Sequence, residues 1–178
     1  MSLNFGRLFR ASSLGVVVLY FGIDPGLDGC LVVLDFRGRL VGVHNLPTVK
    51  IGTKREFLVV DFARVVRGYV KEVGADNIRA TVERHLPMPK QGISSQCKGA
   101  GIVGMLCGVL AGCNISFIQV HPRSWAKVMR DAPGTDKKGR SLLVASTRWP
   151  DLELKGSKAH NVADAALIAE YGRHQWDI

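Results

Sequence analysis

Three features of the sequence predict an α/β fold, a five-stranded mixed sheet with helices on both faces. Strand-like runs follow one another near residues 16–23, 29–36 and 39–46; two later runs, 79–83 and 115–120, alternate with helical periodicities; and 178 residues suffice for one full core but not for two. Val16 to Ile23 is almost continuously apolar and leads into Asp24, after which Pro25-Gly26-Leu27-Asp28-Gly29 reads as a turn. Cys30 to Phe36 resumes the apolar pattern. Arg37-Gly38 then makes a tight link to the third run, so the three strands form an antiparallel meander. Thr53 with Glu56 offers a capping box, and Phe57, Val60, Val66, Tyr69 and Val73 recur at helical spacing up to a Gly74 stop. Arg79 to Glu83 is a short strand that again ends in an acid. A loop from Arg84 to Ser95 opens a Gly/Ala-rich helix, Ile115 to Val120 is a strand stopped by His121-Pro122, and helices follow near 123–130, 137–148 and 159–173. There is no internal repeat and no dividing linker, so residues 16–178 read as one domain. Residues 1–15 read as an N-terminal extension whose arginines, serines and lack of acids suit either an organellar transit peptide or a disordered terminus.

Composition narrows the partners. With 24 Lys plus Arg against 15 Asp plus Glu, the formal charge is +9, which favours a polyanion over a neutral metabolite without choosing among DNA, RNA and anionic lipid. Cys30, Cys97, Cys107 and Cys113 form no CxxC pair and sit among apolar or small residues, so they read as reduced core thiols of an intracellular protein with no zinc site. The uncharged segment Gly99 to Cys113 falls short of the roughly 20 residues a bilayer span needs. It reads as a buried helix, and no membrane partner is expected.

The acids carry the chemistry. A carboxylate at the mouth of a buried strand is costly unless a cation, a charge or hydrogen bonds receive it. Asp24 is one such acid and Glu83 another; on local sequence alone Asp24 also suits an Asx-turn, and Glu83 an ion pair with Arg84. Four-residue spacing puts His160 and Asp164 on one face of the last helix, where both could simply face solvent. If the first and fourth strands are neighbours, Asp24 and Glu83 emerge at one edge, and a helix across that edge adds His160 and Asp164. Such a set offers hard ligands to Mg²⁺ or Mn²⁺ for phosphodiester hydrolysis.

The chain resembles the RuvC-type Holliday-junction resolvases of the ribonuclease H-like superfamily. The matching pieces are Gly22-Ile23-Asp24-Pro25-Gly26, Thr81-Val82-Glu83, Pro122-Arg123-Ser124-Trp125-Ala126-Lys127 and the run from His160 to Gly172, in that order across residues 16 to 173. Pro87-Met88-Pro89-Lys90-Gln91-Gly92 and Val144 to Pro150 make it most similar to the phage RuvC-like proteins and the monokaryotic chloroplast resolvase. The resemblance implies a ribonuclease H-like fold, with Asp24, Glu83, His160 and Asp164 as catalytic residues holding two Mg²⁺ ions per site, or Mn²⁺ in their place. Bacterial RuvC proteins place the partner three residues before the last acid, where this chain has Asn161; His160 fits the chloroplast and phage branch. The implied activity is symmetric nicking of four-way DNA junctions, leaving 5′-phosphate and 3′-hydroxyl ends, by a homodimer.

Other segments of the sequence admit different readings. Gly99-Ala100-Gly101-Ile102-Val103-Gly104 matches GxGxxG, but no strand precedes it and the next acid is Asp131, so a dinucleotide site fails. Ala100, Gly104, Gly108 and Gly112 instead form a small-residue stripe that approaches either the sheet or, as the resemblance implies, the same helix of a second subunit. Basic residues expected to bind DNA phosphates are Lys127, Lys137, Lys138, Arg140 and Lys158 near the acids, with a second patch of Lys50, Lys54 and Arg55. Lys90 and Gln91 lie on the loop after Glu83 and are expected to approach the crossover. A ribonuclease H-like nuclease acting on RNA or flaps, and a catalytically silent junction binder, remain alternatives; an actin-like phosphotransferase needs a second lobe this length cannot hold. The expected location is with DNA in the cytoplasm or nucleoid, or else in an organelle.

Overall fold

A computed structural model describes residues 17–86, 92–130, 132–133 and 136–176. The N-terminal extension and the loop residues Lys90 and Gln91 lie outside the described residues. In chain order the elements are β1 (Leu19–Asp24), β2 (Cys30–Asp35), β3 (Leu40–Asn45), β4 (Thr48–Ile51), β5 (Lys54–Phe57), α1 (Val59–Val73), β6 (Ile78–Glu83), α2 (Ile93–Gly112), β7 (Ser116–Val120), α3 (Pro122–Trp125), α4 (Lys137–Arg148) and α5 (Ala159–Trp176). Five strands form one mixed sheet in the order β3-β2-β1-β6-β7. β1 is antiparallel to β2 and parallel to β6, β2 is antiparallel to β3, and β6 is parallel to β7. The predicted α/β class and mixed sheet are therefore present.

Two cores form because strand side chains alternate. Leu19, Phe21, Ile23, Ile78, Ala80 and Val82 pack with Phe62 and Val66 of α1 and with Leu106 and Leu110 of α2. Val32, Leu34 and Val120 pack on the other side with Trp125, Trp149 and the alanine-rich α5. The intervening residues of β1 and β6, Gly22 and Thr81, meet α5 directly. A Cβ on Gly22 would lie 2.2 Å from the backbone oxygen of Ala165 and 2.2 Å from the backbone nitrogen of Ala169, and one on Gly172 would lie 2.1 Å from Thr81 Oγ1. Only glycine allows strand and helix to touch backbone to backbone here.

The far end of α5 is held by charge. Glu170 is fully buried and accepts hydrogen bonds from Arg148, from Arg173 and from His174 at 2.8 Å. Burial pushes its carboxyl up, but the Arg173 hydrogen bond and the charges of Arg148, Arg173 and His174 together hold it below its usual value.

Three expectations change. The Thr53–Glu56 capping box does not form: Lys54–Phe57 pairs antiparallel with Thr48–Ile51 as a two-stranded ribbon, turned at Gly52 with φ 61°, and the helix begins at Val59. Cross-strand pairing offered these residues more hydrogen bonds than one helix cap. The Gly/Ala-rich helix starts earlier than expected, at Ile93, and is long and apolar enough to cross a membrane by length and composition; only Ile102, Val103, Leu106 and Leu110 are buried, so it is an edge helix and not a buried one. Cys97 lies on its exposed side and is no core thiol, whereas Cys30 is buried as expected.

Gly22→Ala is expected to force α5 off β1. Overpacking costs about 1–3 kcal/mol, and backbone contacts cannot yield, so the upper end applies and Tm falls by roughly 6–12 °C; a melt within a degree of wild type would refute the packing.

Candidate metal centre

The register of the two central strands builds the site. Gly22 pairs with Thr81 and Ile23 with Val82 in parallel, so Asp24 and Glu83, one step further, end side by side at the carboxyl edge of the sheet. Both share the face of Gly22 and Thr81, towards α5. This is where open α/β sheets bind ligands. The turn after Asp24 is tight: a Cβ on Gly29 would lie 2.2 Å from the backbone oxygen of Asp24, and Gly26 has φ 149°. Close packing of α5 at Gly22 brings Asp164, one helical turn before Ile168, over the same edge.

Electrostatics binds the three acids into one cluster. Burial, then the charges of Glu83 and Asp164, push the Asp24 carboxyl well above its ordinary value, against the pull of Lys137. Asp24, when protonated, shares a hydrogen bond with Glu83. Burial also raises Glu83, opposed by a hydrogen bond from Trp125 and by Lys137. Asp164 is raised by burial and pulled back by Lys137, by a hydrogen bond from Ser141, by His160 and by Lys138. Among the described residues its buried Oδ1 has no hydrogen-bond partner. His160 thus sits one turn before Asp164 and reaches the cluster through its charge.

Among the described residues no three His, Cys, Asp or Glu side chains close on one point as a ready-made metal cage. Adjacent carboxylates without a cation between them repel or share a proton. The donor set nonetheless fits a hard divalent cation: three half-buried carboxyls, each raised above its ordinary value first by burial, and among the described residues one unpartnered oxygen, Oδ1 of Asp164.

The basic residues divide. Lys50 and Lys54 on the ribbon, Lys127, and Lys137 and Lys138 beside the acids are exposed; Arg140 is half-buried. Arg55 and Lys158 are engaged with Asp28 in the turn after Asp24, at 2.8 and 3.0 Å, and Arg55 also donates to Leu27 O and Thr48 Oγ1. Asn161 Nδ2 donates to Asp28 O at 2.7 Å. These contacts tie the ribbon, the turn and the start of α5 together, with Arg55 and Lys158 both paired to Asp28.

Sequence reasoning passed over Trp125, Ser141 and Asp28. Trp125 stood inside the run Pro122 to Lys127, and an indole there was the available signal. Its Nε1 donates to Glu83 Oε1 at 2.9 Å, and the Lys137 ammonium lies 4.4 Å from its ring centroid. Lys137 is placed by the start of α4, where Asp136 caps the helix by accepting from Gly139 N at 2.8 Å.

The five-stranded mixed sheet carries Asp24 and Glu83 at the ends of its neighbouring strands β1 and β6. No family model and no curated protein matches the sequence. Solved structures do: RuvC of T. thermophilus in complex with Holliday junction substrate superposes with a TM-score of 0.59 at 13% identity, over 90% of this chain and 96% of that one. A second Thermus thermophilus RuvC structure superposes with a TM-score of 0.49 at 15% identity, over 89% and 97%. The chain has the RuvC fold.

The raised carboxyls carry a stability consequence. The folded state holds these protons more tightly than the unfolded chain, so metal-free stability falls as pH rises from about 4 through the raised values. Asp24→Asn removes one charge from the cluster and is expected to raise the metal-free Tm at pH 7.5 by roughly 2–4 °C per kcal/mol relieved. Thermal melts of both proteins across pH in a chelator check this; a variant less stable than wild type at pH 7.5 would contradict it.

Proposed function

We propose that the chain is a structure-selective endodeoxyribonuclease that nicks four-way DNA junctions. The observation that carries this is the cluster of Asp24, Glu83 and Asp164 at the carboxyl edge of a sheet shared with a junction-bound RuvC. Asp24, central in the cluster, is the residue that would be shared by two Mg²⁺ ions or by Mn²⁺ in their place; Glu83 would hold one and Asp164 the other, with His160 beside it as ligand or proton acceptor. Bound there, the ions supply Lewis acidity that makes a water nucleophilic and stabilises a leaving 3′-oxygen. The products are a 5′-phosphate and a 3′-hydroxyl.

The chain's own residues do the rest. Lys50 and Lys54 on the ribbon and Lys127, Lys138 and Arg140 near the acids neutralise backbone phosphates, giving affinity without reading bases. Lys137 balances the charge of the acids. The Asp28 contacts hold the Asp24 turn against the ribbon, so that phosphate contact and chemistry share one rigid support. The protein works where branched DNA occurs.

Two copies are needed for symmetric cuts. On α2, Ala100, Gly104, Gly108 and Gly112 are all exposed, and no described atom would meet a Cβ on Gly104, Gly108 or Gly112 within 4 Å. The sheet is therefore not what this stripe faces. A second α2 lying on it would complete a homodimer with two active sites related by a two-fold axis.

Labelled four-way junction, duplex, flap and RNA hybrid incubated with protein and Mg²⁺ test the activity. Paired nicks confined to the junction are expected, and Asp24→Asn should lose several kcal/mol of transition-state stabilisation, roughly 10³-fold in rate, while still binding the junction. Equal cutting of RNA hybrid, or full activity in the variant, would refute the assignment. Gly104→Arg tests the dimer: sedimentation should show a monomer that nicks one strand at a time, and an undisturbed dimer would remove α2 from the interface.

A further inference from the structure

The fully buried Trp125 lies under the acid cluster and touches it in two ways. The edge of its indole donates from Nε1 to Glu83 Oε1 at 2.9 Å, and its face carries the Lys137 ammonium 4.4 Å from the ring centroid. An indole N–H is a donor only, so it can serve an acceptor such as the carboxylate and cannot itself take up an ion or a proton. The ring has little freedom: it is enclosed by the second core, among Met129, Ala163 and Leu167, and it closes the short helix α3 that follows the His121-Pro122 cap. A rigid donor and a rigid π-face therefore meet two flexible, oppositely charged side chains that arrive from β6 and α4.

We infer that Trp125 is the positioning residue of this site: its N–H fixes one oxygen of Glu83, leaving the carboxylate's other lone pairs for an ion, and its face keeps the Lys137 ammonium at the rim of the cluster. The inference rests on the proposed metal centre. A core tryptophan with no such role would contribute volume alone. The distinction lies in the N–H, because Trp125→Phe keeps an aromatic face under Lys137 and most of the apolar burial while removing the indole donor to Glu83 Oε1. Hydrogen-bond partners of metal-binding carboxylates are worth about 10–100-fold in metal affinity or activity. Without the donor, Glu83 is free to rotate and to approach Lys137, and its oxygen no longer arrives preset.

The test measures Mg²⁺ binding in the absence of DNA. Calorimetric titration of wild type and Trp125→Phe should show a Kd about 10–100-fold weaker in the variant, with junction affinity in chelator unchanged and kcat lowered at saturating junction. Rescue by excess Mg²⁺ is expected, since the ligands themselves remain. A variant that is merely less stable but binds Mg²⁺ as wild type does would overturn the inference and leave the metal centre standing. A wild-type protein that takes up no Mg²⁺ would overturn both. Should Trp125→Phe fail to fold, the indole ¹⁵N–¹H resonances of the native chain serve instead. One of them should move on Mg²⁺ addition and also in Glu83→Gln, and three unmoved indole signals would refute the role.

Discussion

The contact between Gly22 and α5 governs the rest of the molecule. Because β1 carries no side chain there, the helix comes within backbone distance of the central strand, and its alanines fill the remaining space. That approach sets the height of Asp164 above the sheet edge. The parallel register of β1 and β6 sets Asp24 beside Glu83. Neither alignment involves the acids themselves, so the site is positioned by packing and tolerates groups that repel one another.

Such a site is destabilising by construction. Three carboxyls held close in a poorly solvated place favour their protonated forms, and the surroundings only partly compensate through Lys137, Trp125 and Ser141. The opposite end of α5 is arranged differently: Glu170, more deeply buried than the three acids, is surrounded by cations that hold its carboxyl below its usual value. One helix thus carries an acid fastened by the protein's own cations and another whose Oδ1 has no partner among the described residues. A structural ion pair and a chemical site are separated by whether the counter-charge belongs to the protein.

Much of this was legible in the sequence, and the failures have physical causes. The apolar runs, the Gly38 turn, the Gly74 stop and the strand-end acids are local signals, and local signals survive folding. Thr53 and Glu56 also made a local signal, yet pairing of Thr48 with Phe57 and Val49 with Glu56 overrode it. The apolarity of α2 was plain, but apolarity alone does not reveal whether a face meets the sheet or open space. The link from Trp125 to Glu83 spans 42 residues, and the engagement of Arg55 with Asp28 spans 27. No periodicity encodes such pairs. The charge of Lys137 is visible in the sequence, whereas its seat over an indole beside the acids is not.

The same backbone contact has a temporal consequence. α5 follows every strand in the chain, yet it covers β1, the first of them, together with β2 and β6. On a ribosome adding about 5–20 residues per second, the sheet can assemble on α1 and α2 while its second face stays bare for several seconds. During that interval Val32 and Leu34 have no cover, and Asp24 and Glu83 have no third acid above them. Synthesis order therefore makes α5 a late arrival relative to the strands, and the apolar face it covers and the acid cluster it completes mature together when it docks.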